Sequence, residues 1–166
     1  MLKHIIRSFL LLALLTTFAA ASATTGPKVG QQAPEITGKD LQNKPHTLSD
    51  LRKDKPVLLV FWSTLCHVCH AMNPQFKQLH AKYGDQLTIA AVNVGNEDRE
   101  EIDHYAFEFK LDYLILYEDN DDKFTKMVNA YRLRGTPTIQ LIDQKGVVQY
   151  RGHRLPGNLD ALLAAQ

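Results

Sequence analysis

Two continuous apolar runs of strand length constrain the fold of this chain most strongly. They are VLLVFW at residues 57–62 and LTIAAVNV at residues 87–94. Apolar runs without polar alternation are typical of strands buried on both faces, as in a parallel sheet, whose strands need long crossovers. The stretch between them predicts a crossover helix, because one set of side chains recurs at spacings of three and four: Cys69, Met72, Phe76, Leu79 and Tyr83.

The alternation of helices and strands continues to the end of the chain. The predicted elements are a helix at 97–110 capped by Asn96, a strand at 114–117, a helix at 122–131, hairpin strands at 138–143 and 147–151, and a helix from Asn158. This order predicts an α/β fold, with one mixed β-sheet flanked by helices on both faces. A length of 166 residues with 45% hydrophobic content fits a single domain, and a net charge of +1 argues against a nucleic-acid partner.

The N-terminus has the pattern of a secretory signal. Lys3 and Arg7 precede an apolar run at 9–23, which ends in the small residues Ala21-Ser22-Ala23. The run is shorter than the roughly 20 residues that span a membrane, so we expect cleavage rather than a permanent tether. The sequence therefore predicts a signal peptide at 1–23, a mature domain at 24–166 and a periplasmic location. Thiols stay reduced in such a compartment only if a partner reduces them.

The residues with redox chemistry are concentrated in Cys66-His67-Val68-Cys69, which follows the first apolar run and opens the predicted helix. Unpaired backbone N–H groups and the positive end of the helix dipole lower the pKa of a thiol at such a position. We therefore expect Cys66, the outer residue, to attack disulfides as a thiolate and Cys69 to resolve the intermediate. A disulfide that closes so short a loop stabilises a fold little, which favours a redox role.

Three other interpretations use the same residues. A pair of cysteines in an exported protein can be an ordinary stabilising disulfide. The residues from Cys66 to His70 also match the C-x-x-C-H pattern of c-type haem attachment, but the alternating strands and helices differ from the mostly helical fold of such cytochromes. The alternative function is copper or other soft-metal binding, because thiolates and imidazoles suit such metals, with Cys66, Cys69, His67 or His70, and Met72 as ligands.

Several motifs together resemble the thioredoxin superfamily, and in particular its exported TlpA-like branch. They are FWSTLCHVC, Pro74 after the second cysteine, RGTPT at 134–138 and the tail LIDQKGVVQYRG. The resemblance implies a thioredoxin-like fold and a thiol:disulfide oxidoreductase activity that needs no cofactor. It also implies that Pro137 forms a cis peptide bond beside the disulfide and that Thr136 offers its backbone to a bound substrate strand.

The resemblance also implies partners and substrate contacts. The expected partners are protein thiols and disulfides, together with a membrane protein that donates electrons, and we expect the protein to be a monomer. Trp62, the only indole in the chain, and His67 join Thr136 and Pro137 as expected substrate-binding residues. For His67 two roles remain open, because it acts either as a hydrogen-bond donor and proton relay or as an exposed bystander.

Three positions depart from the family pattern. Val60 replaces a buried acid that accepts a proton from the second cysteine, and Leu65 replaces a tryptophan beside the first cysteine. The third position is Val68, where strongly oxidising members carry a histidine. Without an imidazole there, the thiolate is less stabilised and the cysteine pair should have a lower reduction potential, so the sequence predicts a reductase.

Overall fold

The structure, a computed structural model, describes residues 24–95 and 97–165. Its strands are β1 (Thr37–Asp40), β2 (Pro45–Thr47), β3 (Val57–Trp62), β4 (Thr88–Asn93), β5 (Leu114–Tyr117), β6 (Thr138–Ile142) and β7 (Val148–Gly152). Its helices are α1 (Leu48–Leu51), α2 (His67–Tyr83), α3 (Arg99–Glu108), α4 (Asp121–Ala130) and α5 (Leu159–Ala164). The predicted signal peptide lies outside the described residues, and within them no helix combines the length and apolar character needed to cross a membrane.

The strands form one mixed sheet in the order β2-β1-β5-β4-β3-β6-β7. β3 is parallel to β4 and β4 is parallel to β5, whereas the other neighbouring strands are antiparallel. Parallel neighbours need a crossover, which α2 and α3 provide in turn. The predicted mixed sheet is therefore confirmed.

Helices cover both faces of this sheet, as the side chains of β3 illustrate. Residues 58, 60 and 62 lie in a hydrophobic cluster with side chains from α2, α3 and α5. Residues 57, 59 and 61 alternate with them and lie in a second cluster with side chains from α1 and α4. Because both faces of β3 are buried, its sequence has no polar alternation, which is why the apolar run predicted this strand correctly.

α2 buries the face that the sequence predicted, and α3 buries an apolar face against the same cluster. The buried residues are Cys69, Met72 and Phe76 in α2 and Ile102, Tyr105 and Ala106 in α3, with Leu79, Tyr83 and Phe109 packed against them. α2 is thus held against the sheet along most of its length. This packing fixes its first turn, which carries the two cysteines.

Parts of the structure differ from the prediction. α3 begins at Arg99 rather than at residue 97, because Asp98 is its N-cap and forms a capping box with Glu101. Asn96, the predicted cap, lies outside the described residues. The sequence does not predict β1, β2 and α1, because TGKD, PHT and LSDL are too short to show an apolar period.

The register of the strands brings three loops to one end of the sheet. Phe61 pairs with Thr138, so Pro137 lies level with the end of β3, where the loop to Cys66 begins. On the other side of β3, Trp62 pairs with Asn93, the last residue of β4. The β3–α2 loop is therefore flanked by the residues before β6 and by the β4–α3 loop, and this end of the sheet holds the candidate site.

Candidate active site

Cys66 and Cys69 form a disulfide at the start of α2. Cys66 is the N-cap residue of the helix and is partly exposed, whereas only 3% of Cys69 is exposed. Cys69 lies one helical turn further along, on the face that packs in the first hydrophobic cluster. The structure thus brings the two predicted catalytic residues together and gives them different access to solvent.

The sulfur of Cys66 accepts a hydrogen bond from the first turn of α2. The backbone N–H of Cys69 donates to Sγ of Cys66 at 3.1 Å. N–H groups in the first turn have no partner within the helix, and the helix dipole places positive potential at this end. After reduction of the disulfide, this environment stabilises a thiolate on Cys66. The local geometry therefore favours Cys66 as the more acidic thiol.

Two exposed apolar side chains lie within two residues of Cys66 in the sequence. Leu65 is 81% exposed and Val68 is 56% exposed. His67, between the cysteines, is exposed as well. Exposed apolar side chains therefore lie on both sides of Cys66 in the sequence.

Thr136 and Pro137 precede β6 at the same end of the sheet. Their peptide bond is cis, as the family resemblance implies, and Pro137 is buried while Thr136 is partly exposed. Nδ1 of His153 donates a hydrogen bond to the carbonyl oxygen of Pro137 at 2.7 Å. Thr136 and Ser63, which belongs to the β3–α2 loop, line one cavity of about 280 Å³. The segment before β6 and the loop before Cys66 are therefore neighbours.

Trp62 corrects one expectation about substrate contacts. Its side chain is only 4% exposed, and its ring packs against Tyr105 with 5.0 Å between ring centroids. Side chains alternate along β3, and that of Trp62 falls in the cluster under α2 and α3. The indole is therefore part of the core beneath the site, and we do not retain it as a contact for a docked protein.

A carboxylate from the β4–α3 loop holds the β3–α2 loop, and sequence reasoning missed it. Oε1 of Glu97 accepts three hydrogen bonds, from Oγ of Ser63 at 2.7 Å, the backbone N–H of Thr64 at 2.6 Å and Oγ1 of Thr64 at 2.7 Å. Burial alone would raise the pKa of Glu97, but these hydrogen bonds outweigh it and lower the pKa below its ordinary value. Glu97 is thus ionised at neutral pH.

A buried polar network behind Cys69 was also missed. Asn73, one helical turn after Cys69, donates from Nδ2 to the hydroxyl of Tyr105 at 2.9 Å and accepts from the hydroxyl of Tyr113 at 3.3 Å. Burial raises the pKa values of the Tyr105 and Tyr113 phenols above their ordinary value. The two tyrosines therefore remain neutral, and they join α2 to α3 through Tyr105 and to the segment before β5 through Tyr113.

The alternative of a soft-metal site receives no support from the side chains that the structure describes. Within residues 24–95 and 97–165, no group of three or more His, Cys, Asp or Glu side chains is placed to hold a metal ion. His70 is exposed and packs edge-on against Phe109, with 4.3 Å between ring centroids. His70 is therefore a surface residue of α2.

Comparison with known proteins gives the site its context. Residues 29–151 match the model of the AhpC/TSA family. The chain belongs to this family. It is 34% identical over 154 residues to the thiol-disulfide oxidoreductase ResA of Geobacillus kaustophilus, a match that covers 89% of this chain and 85% of that protein.

Other relatives agree with this assignment. The thioredoxin-like protein YneN of Bacillus subtilis is 35% identical over 127 residues, covering 75% of this chain and 71% of that protein. The crystal structure of the thioredoxin domain of a thiol-disulfide oxidoreductase from Bacteroides vulgatus matches with a TM-score of 0.71 and 27% identity, and it covers 83% of this chain and 94% of that one. The protein is a thiol:disulfide oxidoreductase with a thioredoxin-like fold and a Cys66–Cys69 pair, which confirms the resemblance seen in the sequence.

Proposed function

We propose that this protein is an exported reductase of protein disulfides, in which Cys66 attacks and Cys69 resolves. The observation that carries the proposal is the environment of Cys66, a partly exposed residue whose Sγ accepts a hydrogen bond from the N–H of Cys69 at 3.1 Å. Such a sulfur can both reach a disulfide on another protein and carry a negative charge.

The reaction is a pair of thiol–disulfide exchanges. The Cys66 thiolate attacks one sulfur of the client disulfide, forming a Cys66–client disulfide and releasing the other client sulfur as a thiolate, which takes up a proton. Cys69 then loses its proton and attacks Sγ of Cys66, which releases the second client sulfur. That sulfur is protonated in turn. The client gains two electrons and two protons, and the protein is left with the Cys66–Cys69 disulfide.

The surface around Cys66 fits an unfolded or extended client segment. Leu65 and Val68 offer exposed apolar contacts, and Thr136 and Pro137 border the same end of the sheet. We propose that Thr136 pairs with the client backbone as an added strand does, while Pro137, which has no N–H, does not compete for the client's carbonyl groups. His67 is exposed beside Cys66 and can donate a hydrogen bond to the client or pass a proton to its leaving sulfur.

The direction of electron flow follows from the residue before Cys69. Val68 is aliphatic, so it offers the Cys66 thiolate no hydrogen bond and leaves the reduced form less stabilised than in strong oxidants. The N-terminal pattern at 1–23 supports export to the periplasm. In an oxidising compartment a reductase needs a source of electrons, so we propose a membrane protein whose dithiol reduces the Cys66–Cys69 disulfide.

A redox titration against glutathione tests the proposal. We expect a reduction potential nearer to the roughly −270 mV of thioredoxin than to the roughly −120 mV of a strong oxidant. Val68→His should raise the potential, because an imidazole at this position can stabilise the thiolate. Val29→His is the matched control, since Val29 is similarly exposed at 60% but lies in the segment that pairs with β7. A wild-type value above about −150 mV would make the protein a disulfide donor instead.

A further inference from the structure

The loop that leads to Cys66 is anchored by a side chain that lies far from it in sequence. Glu97 and Thr64 are separated by 33 positions, yet Oε1 of Glu97 accepts from the backbone N–H and the hydroxyl of Thr64 and from the hydroxyl of Ser63. A single carboxylate oxygen thus accepts three hydrogen bonds from two residues that immediately precede the catalytic motif. This concentration of donors is typical of a site built for a negative charge.

The anchored residues form the turn that ends at Cys66. The N–H of Cys66 donates to the carbonyl oxygen of Ser63 at 3.1 Å, and the N–H of Leu65 donates to Oγ of Ser63 at 3.1 Å. Ser63 therefore links the carboxylate of Glu97 to the backbone of Leu65 and Cys66.

The absence of a side chain at Gly95 leaves the space that the carboxylate of Glu97 occupies. A Cβ atom on Gly95 would collide with Oε2 of Glu97, so the carboxylate lies where a side chain on residue 95 would otherwise begin. Oε2 itself is buried and has no hydrogen-bond partner among the residues that the structure describes. Half of the carboxylate is therefore bound to the loop, and the other half is shielded from water.

No cation neutralises Glu97 within the described part of the chain, where the ion pairs involve other residues. The charged groups that share its cavity of about 440 Å³ are Asp98, Arg99, Glu118, Asp119 and Asp121. Arg99 is engaged elsewhere, because its guanidinium donates to the carbonyl oxygen of Leu41 and lies 3.5 Å from Asp103. The surroundings of Glu97 are therefore negative overall.

We propose that the ionised carboxylate of Glu97 disfavours the thiolate form of Cys66 and so keeps the Cys66–Cys69 pair reducing. The proposal rests on the reductase function and names a residue that tunes it. Thr64, to which the carboxylate is bound, and Cys66 are two residues apart, so their Cα atoms lie within about 7.6 Å of each other. The residue that holds the carboxylate therefore lies within about one screening length of Cys66, since that length is about 8 Å at physiological ionic strength, and partial burial weakens screening further.

Two electrostatic influences then oppose each other at Cys66. The N-terminus of α2 and the N–H of Cys69 favour a negative sulfur, as does any positive charge on the neighbouring His67. Glu97 acts in the opposite direction from the loop side. Destabilising the thiolate destabilises the reduced form of the protein, and a less stable reduced form is a stronger electron donor.

The isosteric variant Glu97→Gln separates the charge from the hydrogen bonds. Its amide oxygen can accept from Ser63 and Thr64 as Oε1 does, while the charge is removed. We expect the pH midpoint for alkylation of Cys66 to move to lower pH, and the equilibrium constant for reducing glutathione disulfide to fall by about threefold to tenfold. Circular dichroism would establish that the variant is folded.

Glu35→Gln is the matched control. Glu35 also accepts hydrogen bonds from the backbone N–H and the hydroxyl of a serine, Ser49, but it does so at α1, whose Leu48 packs in the second cluster. This substitution should change neither the alkylation midpoint nor the glutathione equilibrium. If Glu97→Gln does not fold, Glu97→Ala removes the same charge and should shift both measurements in the same direction.

A folded Glu97 variant with the alkylation midpoint and glutathione equilibrium of the wild type would overturn the role of Glu97. The same holds for a shift in the opposite direction. The reductase proposal would fail in a different measurement. In that case the wild-type protein itself would have a reduction potential in the range of strong oxidants, whatever the Glu97 variants show. The two proposals can therefore fail separately.

Discussion

Cys66 and Cys69 belong to one disulfide, but they lie in two different regions of the molecule. Cys66 is in the turn that caps α2, partly exposed, beside the exposed side chains of Leu65 and Val68. Cys69 is on the buried face of the same helix, where 3% of it is exposed and Trp62 and Phe76 belong to the same cluster. One helical turn therefore separates a partly exposed cysteine from a buried one.

This difference divides the chemistry between the two residues. A sulfur in the core cannot meet a disulfide on another protein, but it can meet Sγ of Cys66, with which it is already bonded in the oxidised state. Burial disfavours a charged sulfur, which favours Cys66 over Cys69 as the first nucleophile. In the proposed mechanism, Cys66 in the capping turn takes the first step and Cys69 on the buried face takes the second.

Loss of turnover is the largest effect that we expect. Cys66→Ala removes the attacking sulfur and Cys69→Ala removes the resolving one, so each variant should complete the reduction of a protein disulfide at least about 100-fold more slowly than the wild type. The measurement is the appearance of client molecules with both thiols free after mixing with pre-reduced protein. Glu35→Gln should keep the wild-type rate. A single-cysteine variant that retains a tenth of the wild-type rate of disulfide reduction would mean that the two cysteines do not have separate, necessary roles.

The second effect concerns stability, and it compares the disulfide with the core beneath it. Phe76 is 2% exposed, so Phe76→Ala should lower the free energy of unfolding by about 3 to 5 kcal/mol. Reducing the Cys66–Cys69 disulfide should cost about 2 kcal/mol or less, because the loop it closes is short. Urea denaturation of the oxidised, reduced and Phe76→Ala proteins measures both. A larger loss on reduction than on Phe76→Ala would indicate a structural disulfide.

The smallest of the three effects is a difference in alkylation rate. In the reduced protein at pH 7, iodoacetamide should modify Cys66 at least about tenfold faster than Cys69, because the first is accessible and favours the thiolate. Peptide mapping after a short reaction gives the two rates. Equal rates in the native protein, or faster modification of Cys69, would contradict the distinction between the two regions; unfolding in urea should abolish any difference.

The fold was predictable wherever the sequence carried a continuous apolar run or a helical period. β3 and β5 are apolar runs and have the predicted bounds, and α2, with apolar residues at spacings of three and four, buries the predicted face. β1, β2 and α1 follow no such rule. β1 pairs with β2 and β5 through backbone contacts that short polar sequences do not reveal.

The candidate site was predictable only in part. The positions of Cys66 and Cys69 follow from their place at a strand-to-helix junction, but the contact of Glu97 with Ser63 and Thr64 joins two loops that are distant in sequence. Nothing in the local pattern of either loop indicates the other. The prediction that Trp62 contacts a substrate failed for a different reason. Side chains alternate along a strand, so the sequence of β3 already places residues 58, 60 and 62 on one buried face.

Trapping of the mixed disulfide tests the division of labour between Cys66 and Cys69 most directly. Each pre-reduced single-cysteine variant is mixed with a disulfide-bonded protein, quenched with acid and analysed by mass spectrometry. The account predicts that Cys69→Ala accumulates a disulfide between Cys66 and the client, because attack proceeds and resolution does not, and that Cys66→Ala accumulates little. A mixed disulfide that forms on Cys69 of the Cys66→Ala variant as fast as on Cys66 of the Cys69→Ala variant would contradict it.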